Sequence, residues 1–488
     1  MRVTARNVLA IATLLIACAP DADMRRVARC ADCNLVLVSL DTLRADHLGS
    51  YGYPRDTSPE LDAFAAKALR FSQAFSTARK TAPSHASMFT SLYPTVHGVF
   101  MNDVTQGGEG SHYRLAPEVP NLPELLAEAG FLTVAWHGGG NMSASYGFSR
   151  GFSRYVKFQS YRERGNVAPV SYREREWRPA FRWLEANADE RFFLFLHTYA
   201  VHDPYQPPEP YYSMFTGDYR GRIRAVPNDK RRAERYWAAV DRDDPGDMAH
   251  LIDLYDGGIR HADAHLVGPL LRQLERLELL DSTIVVFVSD HGEEFMEHGF
   301  IRHNQLYDEI VRVPLLVYLP PRATGGVPVT GVRDARVSLL DLTPTLLELL
   351  GVDHDASVFQ GRSLAPVIVG TEGEDRLVYA EGLMAKWGAQ ALTDDDRVQS
   401  VLRVGDYKIY RRELKERDLF ELFDVVEDPG ERTNLSRAEP EAQAEMQARI
   451  EALQREIGEF RAARGYQAGA HAHDDALVDE LRALGYVE

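Results

Sequence analysis

Cysteine is nearly missing: three of 488 residues are Cys, and none lies beyond Cys33. That excludes a disulfide-framework fold and removes thiolate chemistry from the body of the chain. No apolar run is long enough to span a bilayer comfortably. Basic residues are in deficit, 55 Lys and Arg against 72 Asp and Glu, for a net charge of −17. This balance disfavours nucleic acid as a partner and nonspecific attraction to anionic lipid. It does not exclude an anionic substrate, because local charge at a site can oppose the global sign. Internal repeats and low-complexity tracts are also absent.

Apolar content is ordinary for a globular protein, and the length suffices for one large α/β domain plus a smaller one. Met1 to Arg6 is a basic start, followed by a short apolar run from Val8 to Ala17. Together they read as an export signal. Leu15-Ile16-Ala17-Cys18 resembles a bacterial lipobox, which would put a lipid on Cys18 and tether the protein to a membrane surface. The alternative is a plain signal peptide with an accidental cysteine. The expected location is therefore exported, periplasmic or at the cell surface. Cys30 and Cys33 form a CxxC before the first strand; in an exported protein this predicts a local disulfide. A zinc site would need a second ligand pair, and none lies nearby.

Leu35 to Asp41 is a continuous apolar run ending in an acid, as in a parallel strand buried on both faces. Phe192 to Leu196 and Thr283 to Ser289 repeat the pattern and run into His197 and Asp290; a further apolar strand follows at Val313 to Leu319. Helical patterns at Pro59 to Ala68, Leu122 to Ala129 and Ala262 to Leu279 lie between them. The alternation predicts an α/β fold, a large mixed, mostly parallel sheet sandwiched by helices. In such sheets ligands collect at the carboxyl ends of strands, where Asp41, His197 and Asp290 all fall. Val337 to Leu350 reads as a helix. Beyond it, short strands and the polar periodic stretch Ala438 to Ala463 predict a smaller antiparallel sheet with a packed helix. Tyr205 to Asp247, rich in Pro, Arg and Asp, reads as a long surface insertion. The expected division is a signal and lipobox over 1–18, a linker over 19–33, a catalytic domain over 34–374 and a C-terminal subdomain over 375–488.

Asp41, Asp290 and His291, two carboxylates and an imidazole at converging strand ends, make a first shell for a divalent cation. Pro83 suits the first turn of a helix running on through Ser84 to Leu92, so Thr81 is expected just before a helix N-terminus, where unpaired backbone N–H groups and the helix dipole favour anions. A hydroxyl there can be deprotonated beside a metal and attack an oxyanion ester; Thr81 and Ser84 as simple capping residues is the competing interpretation. His202 could give a proton to a departing alkoxide. His303 could bind a transferring oxyanion, as could His197.

Lys80 to Ser87, with Met88 to Pro94, resembles the active-site turn and helix of the sulfatase family, within the alkaline phosphatase superfamily. Asn34 to Tyr53 is similar to its opening strand. His202-Asp203-Pro204-Tyr205, Ser289-Asp290-His291-Gly292 and Leu306 to Leu315 resemble later blocks, and Glu421 to Leu435 the C-terminal segment. The resemblance implies an alkaline-phosphatase-like fold and one divalent metal ion (Mn, Zn or Ca) held by Asp41, Thr81, Asp290 and His291. It implies Thr81 as nucleophile, His202 as the group assisting the leaving oxygen, and His303 where the family usually has a substrate-binding lysine. Three positions depart from the pattern. Thr81 replaces the Cys or Ser that becomes formylglycine, so no formylglycine is expected. Thr42 replaces a metal-binding Asp. His85 replaces the arginine that supports the nucleophile. With a lysine also lost from Trp136-His137-Gly138-Gly139-Gly140, these changes would remove positive charge from the oxyanion pocket.

The implied activity is metal-dependent hydrolysis of a small sulfuric or phosphoric-type ester, carried on a glycan or lipid. A threonine ester cannot collapse to an aldehyde, so water must displace it, which tilts the chemistry toward phosphoryl esters. A phosphoryl-headgroup transferase and a catalytically silent sulfatase-like binding protein are the alternatives.

Overall fold

In the computed structural model, β1 (Asn34–Leu40) has every residue buried. Successive side chains point to opposite faces, so a strand apolar throughout requires cover on both sides. Leu35 and Leu37 join one core with Met88, Phe89, Leu126 and Leu346, while Val36 and Val38 join another with Phe64, Trp177, Leu254 and Leu270. The structure describes residues 29–99, 111–157, 174–226, 232–373, 375–383, 398–414, 417–466 and 469–472. Cys18 and the export signal lie outside them.

The other strands of the central sheet are β2 (Leu69–Phe75), β3 (Leu132–His137), β4 (Arg154–Lys157), β5 (Phe192–Thr198), β6 (Thr283–Val288), β7 (Arg312–Tyr318), β8 (Gly331–Arg333) and β9 (Val337–Ser338). They run β8-β2-β7-β6-β1-β5-β3-β4, with β9 also on β2. Pairing through β6-β1-β5-β3-β4 is parallel, whereas β7 is antiparallel to both β6 and β2. The mixed, mostly parallel sheet expected from the strand–helix alternation is thus observed. The register sets Ser39 of β1 opposite His197 of β5 and Val288 of β6. Asp41, His197 and Asp290 consequently emerge along one edge.

Helices α1 (Pro59–Ala65), α2 (Thr81–Thr90), α3 (Leu122–Glu128), α4 (Glu174–Ala186), α5 (Pro245–Ala262), α6 (Gly268–Arg276) and α7 (Leu342–Leu349) cover the two faces. Val337 to Leu350 is not one helix. Its first two residues pair with β2 and a 3-10 turn precedes α7. Nor does the helical stretch around Ala262 begin there; α5 starts at Pro245 and continues through a π-turn into α6. The presumed surface insertion is packed rather than loose: Tyr205, Ile223 and Tyr236 are buried in the second core.

A four-stranded antiparallel sheet, β10 (Val378–Leu383), β11 (Val398–Val404), β12 (Tyr407–Glu413) and β13 (Asp418–Asp424), follows. Helix α8 (Pro440–Arg464) buries Met446, Ile450 and Ile457 beside Leu402, Ile409 and Leu422. The opposite face packs Tyr410 and Phe423 on Leu306, Tyr307 and Val311. Buried Lys408 ties the sheet to the same segment, 2.6 Å from Asp308 and 2.8 Å from Glu431. Cys30 and Cys33 form the expected disulfide.

Candidate active site

Helix α2 carries Thr81 as its first residue, with extended Lys80 as N-cap, so Thr81 lies inside the helix rather than before it. All ten residues of α2 are buried. Ser84 is not a cap: its hydroxyl donates to the Asp290 carbonyl at 2.6 Å, tying the helix to the loop after β6. That loop turns tightly. A Cβ on Gly292 would come 2.0 Å from the Glu309 carbonyl, so only glycine fits. Just beyond β1 the chain bends at Thr42, held in the left-handed region at φ 59°. For a β-branched residue this is strained. Tyr255 pins the bend by donating to the Thr42 carbonyl and accepting from the Arg44 amide. The Thr42 hydroxyl turns back to the Asp41 carbonyl at 2.7 Å.

These bends bring Asp41, Asp290 and His291 together, with one ligand atom from each lying within 4.8 Å of the others. All three side chains are fully buried. Asp41 Oδ1, Asp290 Oδ2 and His291 Nε2 have no hydrogen-bond partner. Unsatisfied buried acceptors are costly, and three converging acceptors from two carboxylates and an imidazole are what a divalent cation would satisfy. Burial, together with the charge of Asp203, pushes Asp41 up to about 8. Burial and neighbouring Asp41 push Asp290 well above the usual carboxylate range. The donor set therefore fits a cation. The Thr81 side chain hydrogen-bonds the Asp41 carboxyl.

His85 donates from Nδ1 to the Thr81 carbonyl at 2.8 Å, and its Nε2 accepts from Ser39 at 2.9 Å. It braces the Thr81 backbone from below, and burial keeps it neutral. His197 differs from its expected role as a substrate contact. Its Nε2 donates to Asp41 Oδ2 at 3.1 Å and its Nδ1 accepts the Gly138 amide at 3.4 Å. Both nitrogens are engaged within the protein, so the ring orients Asp41 as metal ligands are commonly oriented from behind. His197→Ala is expected to weaken cation affinity by about 10–100-fold, read by competition with a chromophoric chelator. Unchanged affinity would remove that role.

His202 donates from Nδ1 to the Asp203 carbonyl at 2.6 Å, so Nε2 carries a lone pair in the neutral ring. Burial lowers the ring to about 4, while Asp203 opposes that shift. His202 could thus release a proton only from its imidazolium form. His303 donates from Nδ1 to Glu293 at 2.9 Å, and its ring lies 4.6 Å from that of His291 and 5.2 Å from that of His202.

Sequence reasoning did not single out Asp203, Glu293, Lys80 or Arg302. Asp203 is buried; its Oδ2 accepts a hydrogen bond from Trp237 Nε1 at 2.9 Å and is ion-paired with Arg302, whose Nε lies 3.2 Å away. Trp237 belongs to the supposed surface insertion, which therefore reaches the site. Lys80 Nζ donates to Asn304 at 3.3 Å and acts electrostatically on Asp41, Asp203 and Glu293. Lys80 and Arg302 are thus basic groups beside the site. Burial, with Arg79 and Arg302 nearby, holds the Lys80 amine well below its ordinary value. The adjacency of Lys80 to Thr81 and of Asp203 to His202 was a signal available in the sequence.

The carboxylate–imidazole cradle and the buried helix N-terminus lie at one sheet edge of an alkaline-phosphatase-like fold. A sulfatase family model matches residues 33–352, so the chain belongs to the sulfatase family. A second model, for the C-terminal part of N-sulphoglucosamine sulphohydrolase, matches 296–457. Human arylsulfatase A is 26% identical over 447 residues, covering 82% of this chain and 83% of that protein. An ulvan-active sulfatase of Formosa agariphila is 28% identical over 468 residues, covering 89% and 83%. Among solved structures, one in complex with its substrate D-glucosamine-2-N,6-O-disulfate superposes with a TM-score of 0.70 at 20% identity, covering 88% of this chain and 98% of that one. The phosphonate monoester hydrolase of Agrobacterium radiobacter gives 0.66 at 20% identity, covering 91% and 100%.

Proposed function

We propose that the protein is a metal-dependent hydrolase of sulfuric or phosphoric-type esters in which unmodified Thr81 is the nucleophile. The observation that carries this is the Thr81 side chain hydrogen-bonded to the Asp41 carboxyl, beside three unsatisfied acceptors. A divalent cation held by Asp41, Thr81, Asp290 and His291 would supply charge that lowers the hydroxyl pKa and polarises the ester. Asp41 accepts the Thr81 hydroxyl proton, and His197 holds that carboxylate in place. Thr81 Oγ then forms a bond to sulfur or phosphorus as the bond to the leaving oxygen breaks. The Thr81 and Ala82 amides, in the first helical turn, face accumulating negative charge on the transferred group. His202 in its imidazolium form would protonate the departing oxygen. Water, giving a proton to the now neutral His202, then displaces Thr81 at sulfur or phosphorus; Asp41 returns its proton to Thr81 Oγ and the sulfur- or phosphorus-bearing anion is freed.

The ester bond to threonine has no aldehyde route open to it, which favours phosphoryl over sulfuryl substrates. Turnover of aryl phosphate, phosphodiester, phosphonate and aryl sulfate with Mn, Zn and Ca tests the reading. It expects turnover of at least one; no turnover with any metal would oppose it. We further place the mature protein at a periplasmic or outer surface, lipid-anchored through Cys18. Mass spectrometry of its N-terminus would reveal a diacylglyceryl cysteine, and an unmodified residue elsewhere at the new terminus would refute the anchor.

A further inference from the structure

Beside the first cradle lies a second group with the same character. His202, Asp203 and His303 are all buried and offer ligand atoms within 4.8 Å of one another. Each imidazole has its Nδ1 proton committed to oxygen, His202 to the Asp203 carbonyl and His303 to Glu293. That fixes the tautomer in which Nε2 carries the lone pair, the arrangement that prepares histidine for a metal. Glu293 is itself buried. Asp203 splits its oxygens: Oδ2 accepts from Trp237 and is ion-paired with Arg302, while Oδ1 accepts no hydrogen bond and lies 3.3 Å from His202 Nδ1.

We infer that His202, Asp203 and His303 form a second divalent-cation site, adjacent to the first and suited to zinc. Two imidazole nitrogens and one carboxylate oxygen make a three-ligand zinc set that leaves a coordination position for substrate. The close approach of the His291 and His303 rings puts the two sites side by side. Formal charge is compatible. In the fully ionised state that a bound cation requires, Asp41, Asp203, Asp290 and Glu293 contribute four negative charges against two positive ones from Lys80 and Arg302, leaving two negative charges. One divalent ion neutralises these, and the surplus from a second is what an anionic ester would balance. Arg302 is the main opposing feature, and it engages the Asp203 oxygen that the site does not require. With a cation here, the departing oxygen would be stabilised by coordination rather than by a proton from His202.

This rests on the proposed function for the identity of the neighbouring site and replaces one step of it, the proton from His202. The test is zinc stoichiometry of the full chain, measured by equilibrium dialysis of chelated protein and elemental analysis. Wild type should bind two equivalents. His303→Ala should bind one, and the remaining equivalent should disappear in His303→Ala/Asp290→Asn. Glu293→Gln, which keeps both imidazoles, should weaken only the second equivalent by about 10–100-fold. Near-ultraviolet circular dichroism would verify that each variant is folded. Cobalt substitution adds a readout: the second equivalent should bring a visible band that His303→Ala lacks. Saturation at one equivalent that Asp290→Asn abolishes and His303→Ala leaves intact would overturn the second site and preserve the first. Failure to bind any equivalent would overturn both.

Discussion

Thr81→Ala is expected to lose turnover by on the order of 10⁴-fold or more on every substrate the wild type accepts, as when a nucleophile is deleted elsewhere. The substitution removes one hydroxyl at a buried helix N-terminus and leaves Asp41, Asp290 and His291 in place, so cation binding should persist. Its stability cost should be modest, about 1–3 kcal/mol for a buried carboxyl deprived of one partner. Thr81→Ser keeps an oxygen at the same position and should retain measurable activity, which a purely structural threonine would not distinguish from Ala. Steady-state kinetics on matched, metal-loaded preparations decide it. Full activity in Thr81→Ala would end the assignment.

The second large effect concerns pH and the cation together. Asp41 rises from an ordinary 3.8 to about 8 in the folded protein, chiefly through burial. A carboxyl raised on folding stabilises the metal-free protein fully below about pH 4, and that contribution is lost as pH climbs through about 8. Asp290 moves in the same direction. Chelated protein should therefore melt at a lower temperature at pH 8.5 than at pH 5.5. A bound cation reverses the preference, because it needs the ionised pair and protons compete with it. Chelation should then lower the melting temperature more at pH 8.5 than at pH 5.5. Asp290→Asn should flatten the metal-free pH slope and remove the gain on adding metal. Calorimetry with and without chelator, on wild type and variant, checks both. Parallel pH slopes in all four samples would contradict the paired-acid description.

Much of this arrangement was legible in the sequence. A run such as Leu35 to Asp41 is apolar on every residue because both faces of β1 are covered, and its terminal acid marks the edge where ligands gather. The Asp290-His291-Gly292 triplet was readable for the same reason, and Gly292 proves to be required by the approach of the Glu309 carbonyl. The direction of β7 was not readable, since a strand buried on both faces has the same pattern whether parallel or antiparallel. The stretch from Tyr205 to Asp247 misled through composition. Its Pro, Arg and Asp content suggested solvent, while a few spaced aromatics, Tyr205, Tyr236 and Trp237, carry it into the core and onto Asp203. The histidines were found as a set, but their duties depend on what each Nδ1 meets. Nothing local predicts that His303 meets Glu293 or that His197 is spent between Asp41 and Gly138. Lys80 and Arg302 were overlooked because their bearing on the site comes from neighbours distant in sequence, Asn304 for Lys80 and Asp203 for Arg302.

Rapid quenching of metal-loaded enzyme during turnover, followed by peptide mass mapping, tests the covalent role of Thr81 most directly. A phosphoryl or sulfuryl group on the peptide bearing Thr81, absent from Thr81→Ala, is the expected result. Turnover at the wild-type rate with no adduct on Thr81, or with the adduct on another side chain, would contradict it.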